Sequence, residues 1–90
     1  MSQAIVDPAE LRRFAQTLKR FNSDVQERTT VLSGQLDQLS ASWRDQENKK
    51  FTEQFQQHMQ VVARFLEMNE QHIPYLLRKA EAIEEYLRQR

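Results

Sequence analysis

Apolar residues recur every three or four positions in two long runs, the spacing of one helical face rather than the strict alternation of a strand. The first run is Leu11, Phe14, Leu18, Phe21, Val25, Thr29, Leu32, Leu36, Leu39 and Trp43. The second is Phe51, Phe55, Met59, Val62, Leu66, Ile73, Leu76, Ala80, Ile83 and Leu87, with Asn69 in phase. Between them lies Ser40-Ala41-Ser42-Trp43-Arg44-Asp45, which holds the single tryptophan. The pattern predicts an all-α antiparallel helical hairpin in one domain, residues 1–90. Its parts are helix one over about 8–41, a Trp-containing turn over about 42–45 and helix two over about 46–90.

Asp7-Pro8-Ala9-Glu10 reads as a helix start, because aspartate accepts from orphan amides, proline suits the first helical position and Glu10 is placed to close a capping box. A doubled four-residue step between Val25 and Leu36 departs from a strict heptad. Asn22-Ser23-Asp24 offers a break, with Ser23 and Gln26 as a second box, but the stripe keeps its phase and favours a continuous helix. Gly34 is either a tolerated weakness of about 1 kcal/mol relative to alanine or a close helix crossing. Pro74 interrupts the second run, and the unchanged phase across it predicts a kink near 74. With the chain folded back at Trp43, the last ten or so residues should overhang the first helix.

The doublets Val61-Val62, Phe65-Leu66, Leu76-Leu77 and Tyr86-Leu87 widen the second stripe beyond what one antiparallel helix covers. Size points the same way. A 90-residue chain with no cysteine lacks disulfide and thiolate-metal reinforcement, so association is its natural means of stabilisation. Leu11, Phe14, Leu18, Phe21, Phe51, Phe55, Val62, Phe65 and Leu66 are the expected core and dimer contacts.

Lys plus Arg equals Asp plus Glu at 13 each, with the signs mixed. No basic footprint for nucleic acid exists, and no run is apolar enough for membrane insertion. Met1–Asp7 has no signal-peptide pattern. One glycine excludes a glycine-rich phosphate loop, and Ser40 and Ser42 sit where capping explains them. His58 and His72 follow Phe55 and Asn69 at the spacing where a helical metal site needs glutamate, so no metal and no cofactor is expected. Outer charges such as Arg12, Arg13, Lys19, Arg20 and Glu27 read as solvated surface. No enzyme emerges.

The centred tryptophan, the two flanking helices and Phe51 eight residues after Trp43 together make this chain resemble the WXG family. These are small early-secreted-antigen-like hairpins associated with type VII secretion. The resemblance covers about Pro8 to Pro74. Trp43, Arg44 and Asp45 stand at the Trp-x-Gly turn motif, with Asp45 in place of the glycine. That replacement suggests a third residue without positive φ, or a cap for the second helix. The family's Tyr-x-x-x-Asp/Glu export signal is altered, since Tyr75 is followed at that spacing by Lys79 and Tyr86 by Arg90.

The resemblance implies a homodimer or paralogous heterodimer forming a four-helix bundle. The chain then acts as a substrate, partner or adaptor of the secretion system, with the secretion ATPase as a further expected partner. Localisation would be cytoplasmic, or secreted without a cleaved signal peptide. The altered signal motivates the alternative, an intracellular coiled-coil adaptor that is not exported.

Overall fold

The structure, a computed structural model, describes residues 6–89. It contains two helices packed against each other, α1 (Pro8–Ser42) and α2 (Gln46–Arg88). The Asp7 carboxylate accepts the Ala9 amide at 2.9 Å, and the Asp7 carbonyl accepts those of Glu10 and Leu11 at 3.0 and 3.2 Å. Pro8 has no N–H to satisfy, so these bonds serve the orphan Ala9 and Glu10 amides, and that of Leu11 is the first regular bond of the helix.

α1 runs unbroken through Asn22-Ser23-Asp24. The Thr29 and Thr30 hydroxyls both donate to the Gln26 carbonyl, at 3.0 and 2.9 Å, so their polar groups are satisfied within the helix. Nothing lies within 4 Å of where a Cβ on Gly34 would sit. Gly34 is therefore an open, weak position and not a close crossing. α2 continues through Pro74, whose missing N–H leaves the Glu70 carbonyl without its helical donor.

The single stripe expected on α1 resolves into two neighbouring lines. Leu11, Ala15, Leu18, Asn22, Val25, Thr29 and Leu36 form the line toward α2, with Ala15 and Asn22 fully buried and the others partly so. Phe14, Phe21, Leu32 and Leu39 form a second line, each between 44% and 57% exposed. On α2 the inward line follows the expected run, with Leu66, Asn69 and Ala80 buried and Phe55, Met59, Val62, Ile73 and Leu76 half-buried. The doublets divide between the lines: Val61 and Phe65 face out while Val62 and Leu66 face in.

Apart from Leu66, the fully buried residues of the seam are small or polar. Ala15, Leu66 and Ala80 are the buried hydrophobic residues, and no larger side chain is completely enclosed among the described residues. Asn22 donates from Nδ2 to the Leu66 carbonyl at 2.8 Å and accepts from Asn69 Nδ2 at 3.0 Å. Nearer the bend, Asn48 Nδ2 donates to Ser40 Oγ at 3.0 Å. These contacts fix the register of the two helices.

α2 has 43 residues against 35 in α1, and its excess lies beyond Ala80, which α1 covers completely. Glu84 reaches back from that end. Its carboxylate accepts Arg12 Nε at 3.0 Å and Arg12 Nη2 at 2.7 Å. Arg12 thus departs from its expected role as solvated surface and clasps the open end of the hairpin. The paired guanidinium holds the Glu84 carboxyl below its ordinary range and raises Arg12 in turn. Both groups remain well exposed, so solvent screens the pair.

The hairpin measures 68 × 23 × 16 Å. Its accessible surface is 7671 Å². A compact monomer of this mass exposes about 5,500 Å². The excess follows from the elongated shape, and the two outward apolar lines are part of the exposed surface. No helix among the described residues is long and apolar enough to cross a membrane.

Candidate partner-binding face and bend

The bend consists of Trp43, Arg44 and Asp45. α1 ends as the Trp43 amide closes on the Leu39 carbonyl at 2.8 Å while the Trp43 backbone turns extended, φ −93° and ψ 96°. Arg44 Nε donates to the Ala41 carbonyl at 2.8 Å and Ser42 Oγ to the Leu39 carbonyl at 3.2 Å. The Ala41 carbonyl, left open at the helix C-terminus, is thereby satisfied by a side chain, and the Leu39 carbonyl takes a second donor. Asp45 is extended, at φ −96° and ψ −177°, and its carboxylate accepts the Asn48 amide at 3.1 Å. No described residue has positive φ. The bend accordingly makes no demand that only glycine meets, and the aspartate supplies an N-cap in its place.

Three aromatic rings run from the bend along α2. Trp43 and Phe51 lie 6.0 Å apart between centroids, and Phe51 stacks on Phe55 at 6.1 Å with 30° between planes. Trp43 is half-buried by this packing and Phe51 is 45% exposed. Farther along, Phe21 and Phe65 meet edge to face at 6.1 Å. Since one belongs to α1 and the other to α2, this contact joins the outward lines of both helices into one broad apolar face.

The structure separates the expected contact residues into two groups. Leu66 is buried in the seam, and Leu11, Leu18, Phe55 and Val62 are half-buried beside it. Phe14, Phe21, Phe51 and Phe65 instead lie on the open face together with Val61, Met68 and Tyr75. Ala15 and Asn48 carry no strong apolar signal, while Asn22 and Asn69 are legible only as part of a possible break and as a polar residue in phase. Their spacing by threes and fours on the inward lines was the available signal. His58 and His72 are exposed, and no cluster of possible metal ligands occurs among the described residues.

Residues 3–86 match the family described as "WXG100: Proteins of 100 residues with WXG". The chain belongs to the WXG100 family. No curated protein and no solved structure matches it. As a WXG100 protein it is a small, non-enzymatic helical hairpin associated with type VII secretion, a family whose members typically form dimers. In this WXG100 chain the signature glycine is an aspartate acting as a cap. Asp45→Ala is therefore expected to lower stability by about 1 kcal/mol and Asp45→Gly by only a few tenths, measured as the urea midpoint. Equal, negligible effects would show that the cap is dispensable.

Proposed function

We propose that this chain is a dimeric binding module that acts as a substrate, partner or adaptor of a type VII-like secretion system. The observation that carries the reading is the open aromatic face joined across Phe21 and Phe65. A hairpin with so small a core needs that face covered, and two such hairpins face to face make a four-helix bundle. Phe14, Phe21, Phe51 and Phe65 serve as the principal dimer contacts, with Leu11, Leu18, Phe55, Val62 and Leu66 supporting them from the seam. Trp43, Arg44 and Asp45 form the turn. Trp43, half-buried at the bend, is the group there suited to contact a secretion ATPase or another partner.

Export is tested by comparing culture medium with lysate, with and without the secretion ATPase. ATPase-dependent appearance in the medium supports the substrate role. Protein confined to the lysate in both strains removes it and leaves the retained adaptor. That second reading is favoured by one observation: Tyr75 and Tyr86 are followed at the signal spacing by Lys79 and Arg90 rather than by an acid. A secreted form of this chain would then take its signal from outside the residues described by these two motifs.

A further inference from the structure

We propose that the groove on the side of the hairpin away from the aromatic face is a docking site for a helix of another protein, one that carries lysine or arginine where it passes Glu67 and Glu70. The two faces are distinct. Successive residues of a helix are turned by about 100°, so Phe21 and Ser23 fall on opposite sides of the buried Asn22, and Met68 and Glu70 on opposite sides of the buried Asn69. Phe21 and Met68 belong to the aromatic face, whereas Ser23 and Glu70 line the groove.

The groove has two stretches, of about 710 and 430 Å³, and Gln26 and Glu70 line both, so the stretches adjoin along the seam. Between Ala15 and Ser33 it follows α1 for roughly 27 Å, the length of a helix of about 18 residues. Leu66, Val62 and Ile73 give it an apolar floor. Ser23 and Ala63 are small residues on its exposed margins, which lets a third helix approach closely.

Its polar groups are mostly acceptors. Thr29 and Thr30 donate their hydroxyl protons to the Gln26 carbonyl, and their oxygens keep accepting capacity. Pro74 deprives the Glu70 carbonyl of its helical donor. The carboxylates of Glu67 and Glu70, one helical turn apart, are exposed and join no ion pair among the described residues. An extended segment laid here would bring backbone carbonyls that need donors, and the groove offers few. A helix satisfies its own backbone and presents side chains alone. Ammonium and guanidinium groups donate without accepting, which is the complement of this surface. Lys19 is the single cation among the lining residues, at the Ala15 end, and it suits an acidic residue toward that end of the same partner helix. A second copy placed back to back fits poorly, because it brings the same glutamate-bearing surface against its like.

The test uses the full chain and two synthetic helical peptides of about 18 residues, each with leucines on one line. One carries two lysines a turn apart at mid-length, and the other carries glutamates there. Amide chemical shifts of the labelled chain are followed as peptide is added. Signals of Gln26, Ala63 and Glu70 should move while those of Phe21 and Met68 stay. The lysine peptide should bind about tenfold more tightly than the glutamate one, since two part-exposed charge pairs are made in place of two like-charge contacts. Glu67→Gln combined with Glu70→Gln, both at exposed positions, should remove most of that preference. Equal affinities, shifts confined to Phe21 and Met68, or no shift at millimolar peptide would each overturn the proposal. Groove signals that move with chain concentration alone would give the site to a second copy instead. The dimer reading concerns the other face and is judged separately, by the mass of Phe21→Asp.

Discussion

Phe21→Asp is expected to turn a dimeric chain into a monomer at concentrations where the wild type is dimeric. In one hairpin Phe21 is 44% exposed and meets Phe65 edge to face across the seam, and it lies outside the inward line of α1. In the dimer the remaining ring surface is covered. Losing that burial and placing an unpaired carboxylate there costs about 2 kcal/mol or more per copy. With two copies per interface the sum is about 4 kcal/mol, or roughly a thousandfold in dissociation constant. Sedimentation or light scattering reads the result. Phe21→Leu, which keeps an apolar contact, should weaken the dimer far less. An unchanged mass for Phe21→Asp would show that the aromatic face is not the interface.

The hairpin is legible in the sequence because its determinants are local. Threes-and-fours spacing specifies helices, Asp7-Pro8 starts one, and Trp43 to Asp45 interrupts the phase between them. The family resemblance is legible at the same residues. The division of labour between the two faces is less so. Phe14 and Phe21 interleave with Leu11 and Leu18 so closely that one stripe and two adjacent lines share the same apolar markers. What distinguishes the lines is where Ala15 and Asn22 fall, and small or polar residues carry no hydrophobic signal. Arg12 illustrates a second limit. Its partner, Glu84, lies 72 residues away, and only the folded register brings the two within 2.7 Å.

Asn22 itself was legible only as a threat to the helix, since asparagine beside serine and aspartate is ordinary break chemistry. Across the hairpin it becomes the opposite, a buried amide whose donor is on the Leu66 carbonyl and whose acceptor takes Asn69. Asn22→Ala removes both bonds and leaves Asn69 buried with its amide unpaired. Two lost hydrogen bonds and one stranded polar group are expected to cost about 2–4 kcal/mol. That is a large share of the few kcal/mol that a chain of this size holds. The double replacement Asn22→Leu with Asn69→Leu should behave differently, because no polar group is left unsatisfied and added apolar volume fills the seam. Its stability should be recovered or raised, while the register, no longer pinned at this point, loosens as it does when a buried asparagine is removed from a coiled coil. Urea unfolding separates the single from the double variant, and amide exchange in the flanking turns reads the register. If Asn22→Ala were as stable as the wild type, the amide pair would be a bystander to packing. If the double variant were both more stable and equally protected, the pair would have no role in setting register either.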